Sequence, residues 1–487
     1  MHELTVIDEL RESILPAYGA VGGDDALAAD EAFARSLMGP GTAAVRDVRR
    51  LAPSLPVLDP ERCVGCMACV SACPDAALVA MAQPQPLVES AAADSPDRAA
   101  TVGAHFMRTQ KYAEVPARKG LTPALFGLFV DPETCKGCGE CIEVCTDLGH
   151  EALRLVDKDE PAGRDGASVL DAALADVEFA RTLPTTPPEY RNEKALADLM
   201  LGEHARGFVG GAGACAGCGE STALRMLIAA TRQVHGPDSM GIVAATGCNS
   251  VAGSTFPYNP YLVSWTNSLF ENAPAVALGI RIRWEQEGRG DRRLWVVGGD
   301  GAMYDIGFQA LSRMVASGRD IKVLVLDTQV YSNTGGQSST ASFGGQITKL
   351  SAFGKALHGR PERRKELGRI MLAHGDVFVA QTTPAHLNHF YRSILDANAF
   401  PGPAVVVVHA ACMPEHGIAD DAGMRQSRLA VDSRAFPLFT YDPRRGETLA
   451  ERLSLQGNPS TKADWHTLPD GTAVDFLAFA RTEGRFA

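Results

Sequence analysis

Hydrophobic positions after about residue 201 fall into short apolar runs separated by amphipathic stretches. The runs lie at 241–247, 294–299, 321–327, 376–381 and 404–410. Runs that are apolar nearly throughout, rather than at alternate positions, are typical of strands buried on both faces of a parallel sheet. The alternation of such strands with helical stretches predicts an α/β domain with a doubly wound parallel sheet.

A helix is predicted between two of these strands, because five residues recur there at helical spacing. They are Ile306, Gln309, Ala310, Arg313 and Met314. The whole chain divides by composition into four segments. These are a helical extension without cysteine (1–57), a cysteine-rich α+β domain (58–157), a linker with some helix (158–200) and the parallel-sheet domain (201–487).

Composition and charge narrow the range of functions. The formal net charge of the 487 residues is -12, which gives no electrostatic support to nucleic-acid binding. No stretch approaches the ~20 apolar residues of a membrane helix, and the acidic start lacks the order of a signal peptide, so we expect a cytoplasmic protein. The 12 cysteines of a large chain in a reducing compartment are expected to bind metal rather than to form disulfides.

Eight of the cysteines form two copies of a C-x2-C-x2-C-x3-C motif. The copies are Cys63, Cys66, Cys69 and Cys73, and Cys135, Cys138, Cys141 and Cys145. In such motifs three thiolates hold one Fe4S4 cluster and the fourth reaches the other cluster. The predicted sets are therefore Cys63, Cys66, Cys69 and Cys145, and Cys135, Cys138, Cys141 and Cys73. Zinc is the alternative, but zinc sites usually lack the third cysteine two residues on.

This segment resembles the bacterial two-cluster ferredoxins, with two departures. Thr146 stands where a proline usually follows the fourth cysteine. The 61 residues from 74 to 134 separate the two motifs. Neither departure removes a ligand, so the expectation of two clusters stands.

Four cysteines remain, and they are Cys215, Cys218, Cys248 and Cys412. The CAGC pair alone could be a redox dithiol, half of a zinc site or chance, and Cys248 and Cys412 alone could be buried structural cysteines. Both, however, follow predicted strands, and ligands of an open parallel sheet gather at the carboxyl ends of the strands. We therefore predict a third Fe4S4 cluster, with zinc or free thiols as alternatives.

A candidate magnesium site follows the second strand. Gly299, Asp300 and Gly301 end that strand, and Asn333 follows the next one within VYSNTGGQSS. Mg²⁺ prefers oxygen ligands, and glycine lets backbone N–H groups approach a phosphate. A helix expected to begin near Asp305 would point its positive end at the same place. A lone GDG sequence is usually no more than a turn. The hypothesis of a magnesium site therefore rests on the longer pattern, in which GDG follows one strand and VYSNTGGQSS follows the next.

Several motifs together resemble the pyruvate:ferredoxin oxidoreductase family. They are VYSNTGGQSS, CAGCGE, ATGC, TNSLFEN and FPLFTYDP, and the resemblance spans residues 58–487, the C-terminal part of single-chain members. It implies a thiamine diphosphate domain in which Asp300, Thr328 and the carbonyl of Val330 hold Mg²⁺. It also implies that Asn333 faces the substrate or the thiazolium carbon, and that Glu220 lies near the cofactor. The sequence departs from the family at 340–345 and 413–417.

The resemblance implies oxidative decarboxylation of a 2-oxoacid, pyruvate first, with coenzyme A, in a reaction that could also run as CO2 fixation. Electrons would pass through three Fe4S4 clusters to ferredoxin or flavodoxin. Residues 1–57 are too few for a pyrimidine-binding domain of ~100–150 residues, so a partner subunit is expected to supply that domain and its activating glutamate. Three alternatives stay open. The chain could act on another oxoacid, such as 2-oxoglutarate, oxalate or an aryl oxoacid. It could instead be a non-oxidative thiamine enzyme, or an electron-transfer subunit without catalysis.

Overall fold

The computed structural model describes residues 6–20, 39–351 and 359–486, apart from 165, 212 and 256. Part of the predicted helical extension (1–57) therefore lies outside the described residues. The described part of that extension contains α1 (Val6–Glu9), a π-helical turn (Leu10–Ile14), α2 (Leu15–Gly19) and a 3-10 turn (Thr42–Val45).

The cysteine-rich unit contains five strands and five α-helices. The strands are β1 (Ser54–Leu58), β2 (Leu78–Pro84), β3 (Phe106–Met107), β4 (Ala124–Val130) and β5 (Leu153–Asp157). The helices are α3 (Ala68–Ala72), α4 (Gln85–Ala92), α5 (Pro96–His105), α6 (Val115–Arg118) and α7 (Glu140–Asp147). A π-helical turn, Gln110–Glu114, precedes α6.

These strands form two small antiparallel sheets. β1 pairs with β5, and β4 lies between β2 and β3. The predicted boundary between residues 57 and 58 falls inside β1, so this unit begins by Ser54 rather than at residue 58. The long insert between the two cysteine motifs is largely regular, because it supplies β2, β3, β4 and three helices.

The predicted linker (158–200) packs on the cysteine-rich unit. It contains α8 (Val169–Thr182), whose first turn is capped where the Asp171 N–H donates to Ser168 Oγ at 3.1 Å. Phe179 of α8 packs with Phe106 and Phe129 in one apolar cluster. Three 3-10 turns follow, at Pro188–Tyr190, Leu196–Leu201 and Glu203–Ala205.

An eight-stranded sheet dominates the remainder of the chain. Its strands are β6 (Met240–Ala245), β7 (Ser264–Ser268), β8 (Arg293–Gly299), β9 (Lys322–Asp327), β10 (Phe378–Thr382), β11 (Ala404–His409), β12 (Phe439–Tyr441) and β13 (Leu453–Ser454). Their order is β13-β12-β10-β11-β9-β8-β6-β7. The six strands from β6 to β11 are parallel, whereas β12 and β13 are antiparallel. All five predicted strands are confirmed.

Helices cover both faces of this sheet, as a doubly wound fold requires. They are α9 (Gly219–His235), α10 (Cys248–Ser254), α11 (Ala273–Gln286), α12 (Phe308–Ala316), α13 (Leu367–Leu372), α14 (Leu387–Ala399), α15 (Met413–His416), α16 (Gly423–Asp432), α17 (Leu449–Arg452) and α18 (Phe476–Ala480). A two-stranded hairpin, β14 (His466–Thr467) and β15 (Ala473–Val474), lies apart from the sheet.

One apolar cluster lies on each face of the sheet. Leu227 of α9 and Phe390 of α14 belong to one, and Leu311 of α12 belongs to the other. The predicted helix is thus present as α12, but Ile306 is 60% exposed and lies in a preceding π-helical turn. The buried face is formed by Leu311, Met314 and Val315, so only Met314 of the predicted set lies on it.

The strand order creates a crevice at one edge of the sheet. β7 and β8, the next two strands along the chain, lie on opposite sides of β6. The direction in which successive strands are added to the sheet therefore reverses at β6. In doubly wound sheets, ligands bind where such a reversal opens a crevice at the carboxyl ends of the strands. Within the described ranges, no helix combines the length and the apolar character needed to cross a membrane.

Candidate functional site

Four predicted site residues lie at the carboxyl ends of four adjacent strands. Asp300 directly follows β8 and Thr328 directly follows β9. Cys248 and Cys412 lie three residues beyond the ends of β6 and β11. Because these strands are neighbours in the order β6-β8-β9-β11, residues far apart in sequence meet along one sheet edge.

The predicted Mg²⁺ ligands form one network of oxygen atoms. Asp300 Oδ1 accepts hydrogen bonds from the Thr328 N–H at 3.3 Å and from Thr328 Oγ1 at 3.0 Å. Thr328 Oγ1 also lies 3.0 Å from the carbonyl oxygen of Val330 and 2.7 Å from Ser332 Oγ. Ser339 Oγ donates to Asp300 Oδ2. Sequence analysis missed Ser332 and Ser339, although both lie within or beside the VYSNTGGQSS motif.

Asp300 is a buried anion whose neighbours suit a divalent cation. Its described hydrogen-bond partners are a backbone N–H and two hydroxyls, whereas the nearby Asp327 is paired with Arg364. Burial and the Asp327 charge raise the pKa of Asp300 to about 7. A hard cation bound to this set of oxygens would offset both the cost of burying the Asp300 charge and its repulsion by Asp327. The residues present therefore fit Mg²⁺.

Glu220 is a second buried carboxyl group beside this network. It lies in the first turn of α9 and is 5% exposed. Its Oε2 atom has no hydrogen-bond partner among the described residues. Burial, followed by the charge of Asp300, raises the pKa of Glu220 to about 8. An unpartnered buried carboxyl oxygen is costly, so its presence here indicates a group that serves a ligand.

The last four cysteines share one neighbourhood next to Glu220. They are Cys215, Cys218, Cys248 and Cys412. Burial raises the pKa of Cys248, and Glu220 and the other three cysteines of the set raise it further. Gly217 has φ +71° and faces the carbonyl oxygen of Asp420, which a Cβ atom would approach to 1.9 Å. The CAGC loop therefore requires glycine at this position for the backbone to pack closely.

The other eight cysteines separate into two sets of four, each lining its own small cavity. One cavity is lined by Cys63, Cys66, Cys69 and Cys145, and the other by Cys73, Cys135, Cys138 and Cys141. Helices α3 and α7 pack against each other; Cys73 directly follows α3 and Cys145 lies within α7, so each fourth cysteine reaches the opposite set. Several sulfur atoms already accept backbone N–H bonds, including Cys73 from Ala77 at 3.3 Å and Cys145 from Ala152 at 3.2 Å.

Such N–H···S bonds are among the features that tune an iron–sulfur cluster. The composition and hydrogen bonding of both sets therefore fit Fe4S4 clusters. Among the described residues, no three His, Cys, Asp or Glu side chains converge closely enough to hold a single metal ion.

The remaining predicted residues lie in the two loops beside Asp300. Gly301 begins a π-helical turn, Gly301–Ile306, so helical backbone starts next to Asp300 rather than near Asp305 as predicted. A Cβ atom at Gly301 would lie 2.2 Å from the Tyr331 ring, whereas one at Gly299 would meet nothing closer than 3.8 Å. Asn333 is exposed. Among the described residues, its side chain makes no hydrogen bond to the oxygen network around Asp300.

Lys136 and Glu140 are among the residues that join the cysteine-rich unit to the parallel-sheet unit, and neither role was predicted from the sequence. Lys136 Nζ donates to Asp75 Oδ1 at 2.7 Å and to the carbonyl oxygen of Ala214 at 2.8 Å. The buried Glu140 carboxyl accepts the Met424 N–H at 3.2 Å. Lys136 and Glu140 lie inside the second cysteine motif, where the sequence gives no sign of an inter-unit role.

Comparisons with known proteins agree with this architecture. A family described as "Thiamine pyrophosphate enzyme, C-terminal TPP binding domain" matches residues 245–408. Two families, each described as "4Fe-4S binding domain", match residues 56–79 and 132–148. A 2-oxoglutarate:ferredoxin oxidoreductase structure from Magnetococcus marinus matches 41% of this chain and 63% of that chain at 24% identity, with a TM-score of 0.35, which is too low to compare the two folds in detail.

Curated relatives match most of the chain. A probable pyruvate-flavodoxin oxidoreductase of Escherichia coli is 29% identical over 490 residues, covering 86% of this chain and 38% of the relative. The pyruvate:ferredoxin oxidoreductase of Moorella thermoacetica is 29% identical over 509 residues, covering 88% and 39% respectively. The chain thus spans well under half the length of these relatives. The chain is therefore similar, over most of its length, to part of these pyruvate:ferredoxin (flavodoxin) oxidoreductases, and it contains ferredoxin-like 4Fe-4S segments and a thiamine-diphosphate-binding domain.

Proposed function

We propose that this chain is the iron–sulfur, thiamine-diphosphate-binding subunit of a 2-oxoacid:ferredoxin oxidoreductase. Its reaction is the oxidative decarboxylation of a 2-oxoacid, with pyruvate as the first candidate, to an acyl-coenzyme A and CO2. The observation that carries the proposal is the meeting of an oxygen-lined acidic site and a four-cysteine set at one sheet edge. Asp300 and Cys248 would serve different chemistries, and the neighbouring positions of the strands that they follow support their acting together.

The residues of the sheet edge have separable roles. Asp300, Thr328 and the Val330 carbonyl would hold Mg²⁺ against a diphosphate, and thiamine diphosphate supplies the electron sink that decarboxylation needs. Glu220, buried with one unpartnered oxygen, can hold a proton near neutral pH beside that cofactor. Gly299 and Gly301 flank Asp300, and the absence of a side chain at Gly301 lets the Tyr331 ring pack beside it; exposed Asn333 is available to a substrate.

The cysteine sets supply the oxidative half of the proposal. Each of the three would hold one Fe4S4 cluster, a one-electron carrier that links the reaction to ferredoxin or flavodoxin. The set of Cys215, Cys218, Cys248 and Cys412 is the one beside Glu220. A non-oxidative thiamine enzyme would not need these thiols next to the acidic site.

Part of the active site is proposed to come from a partner subunit. That subunit would carry the pyrimidine-binding domain and its activating glutamate, and it would close the pocket for the oxoacid and coenzyme A. The chain spans only 38% of the E. coli relative, which leaves room in that protein for such a domain. We place the assembly in the cytoplasm, where its thiols would stay reduced.

The first experiment is anaerobic purification with co-purifying subunits, followed by measurement of iron, sulfide and thiamine diphosphate. About 12 irons and one thiamine diphosphate per chain are expected for three clusters beside the cofactor. Acceptor reduction is then compared with pyruvate, 2-oxoglutarate, oxalate and an aryl oxoacid. About eight irons would contradict the third cluster, and absence of thiamine diphosphate would contradict the catalytic assignment.

A cysteine variant separates the third set from the other two. Cys412→Ser should lower the iron content by about four per chain and block acceptor reduction. Cys73→Ser, as the matched control, should lose iron from the cysteine-rich unit and retain thiamine diphosphate. A Cys412→Ser protein with full iron content would show that Cys412 is structural.

A further inference from the structure

His416 connects the loop that carries Cys412 to the loop that carries Thr328. Its side chain is fully buried. Its Nε2 atom lies 2.8 Å from the carbonyl oxygen of Thr328, and its Nδ1 atom accepts the Cys412 N–H at 3.4 Å. One imidazole therefore contacts the backbone of a candidate cluster ligand and the backbone of a candidate magnesium ligand.

The two contacts select one form of the ring. A carbonyl oxygen only accepts hydrogen bonds, so the hydrogen of the imidazole lies on Nε2. The Cys412 N–H only donates, so Nδ1 must be unprotonated. The neutral Nε2–H tautomer satisfies both partners.

The local backbone holds this ring under Cys412. α15 is a single turn with Pro414 near its start, and the His416 N–H donates to the Cys412 carbonyl at 2.9 Å. Gly417 ends the turn with φ +63°, a conformation that glycine adopts without strain. A Cβ atom there would also lie 2.9 Å from Gly484 Cα, so the crossing segment leaves space only for glycine.

We propose that His416 is a positioning residue that couples the geometry of the third cysteine set to that of the magnesium site. A shift of the Cys412 peptide would move the ring and therefore the Thr328 peptide, whose side chain lies against Asp300. A single side chain would thus fix the position of the cluster relative to that of the cofactor. This inference rests on the proposed function, because it requires both groups to bind.

The experiment compares three replacements of His416. His416→Leu removes both contacts. His416→Gln places an amide N–H within reach of the Thr328 carbonyl, and His416→Asn places an amide oxygen near the Cys412 N–H. His409→Leu is the matched control, because His409 is equally buried but its side chain contacts Ser427 Oγ at 3.0 Å.

Two measurements are made on each anaerobically purified holoprotein. They are the Mg²⁺-dependent affinity for thiamine diphosphate, by calorimetry, and the EPR spectrum of the reduced third cluster. His416→Leu should weaken the affinity by about tenfold, since it leaves a buried carbonyl without its donor, and should change the spectrum as well. His416→Gln should recover the affinity to within about threefold and keep the altered spectrum. His416→Asn should keep the weakened affinity and recover the wild-type spectrum.

Coupling through His416 is wrong if His416→Leu matches His409→Leu in both measurements. It is also wrong if either single-contact variant recovers both properties, because the lost contact then has no effect, or if neither variant recovers either property, because the loss then does not come from these two contacts. A wild-type protein without thiamine diphosphate or without a third cluster would overturn the proposed function, and this inference with it.

Discussion

The two parts of the chain assemble their cysteine sites in opposite ways. The cysteine-rich unit takes its eight thiols from residues 63–73 and 135–145, two stretches of eleven residues each. The sheet-edge site takes its side chains from loops spread between Cys215 and Cys412. A local motif can be recognised by its spacing alone, whereas a sheet-edge site exists only once the strand order is set.

The two sites also depend on different backbone features. The cysteine loops contain glycines in the left-handed region, such as Gly65 and Gly137, both at φ +70°, which turn successive thiols toward one side. The sheet-edge site depends instead on four strands lying side by side in the right order. A substitution in one cysteine loop should therefore affect one thiol set. A substitution that disturbs the packing between the two units should affect the thiol sets of both units and the magnesium site.

The largest effect is expected from Lys136→Met, which tests the junction between the two units. The side chains of Lys136 and Asp75 are only 5% and 2% exposed. Loss of the lysine charge would leave Asp75 buried without its cation, which typically costs about 3–5 kcal/mol. The free energy of unfolding from urea titration should fall by that amount. A loss below about 1 kcal/mol would mean that water reaches the Asp75 carboxylate and that Lys136 contributes little to the junction.

Asp300→Ala comes next and tests whether the sheet edge binds its cofactor independently of the thiols. We expect Mg²⁺-dependent affinity for thiamine diphosphate to fall at least about hundredfold, while iron content stays unchanged. Asp305→Asn is the control, because Asp305 is a neighbouring acidic residue that accepts the Tyr331 hydroxyl at 2.9 Å and the Thr340 N–H at 3.1 Å instead of the Thr328 hydroxyl. Unaltered affinity in Asp300→Ala would contradict the magnesium assignment.

Glu220→Gln tests the acidic character of the sheet edge through its dependence on pH. The pKa of Glu220 is raised from 4.5 to about 8 in the folded chain, so the folded state holds a proton that the unfolded state has lost between those values. The stability of the cofactor-free chain therefore falls as pH rises from about 4.5 to 8, by up to about 1.4 kcal/mol per pH unit from this group.

The Gln variant removes that contribution. Its stability relative to wild type should grow across the same pH range and become constant above about pH 8. Thermal or urea unfolding at pH 5, 6, 7 and 8 measures the difference. A difference that does not change with pH would show that Glu220 is ionised in the cofactor-free protein.

The smallest effect is expected from Arg428→Met, a second contact between the two units. Arg428 Nη1 donates to Asp147 Oδ2 at 2.7 Å, but the two side chains are 33% and 26% exposed. Solvent screening should limit the loss of stability to about 1 kcal/mol or less. Compared with Lys136→Met, this variant shows how much less an exposed ion pair contributes to stability than a buried one.

Much of the architecture could be predicted because it depends on local patterns. The five apolar runs became strands since residues buried on both faces of a sheet must be apolar throughout. The boundary of the cysteine-rich unit was misplaced because Ser54–Leu58 is fixed by pairing with Leu153–Asp157, a contact that no local pattern reveals. The buried face of α12 was likewise set by the helix's contact with the sheet, which left Ile306 exposed.

The sequence by itself determined the chemistry that the chain can offer. Cysteine spacing specifies clusters through local loop geometry, and GDG followed by VYSNTGG specifies an oxygen-rich turn. Only the tertiary structure decided which of these groups act together. Strand order placed Cys248, Asp300, Thr328 and Cys412 along one edge, and burial left Glu220 with an unpartnered oxygen. His416 joins two loops for the same reason, because hydrogen bonds between distant segments form only after the chain has packed.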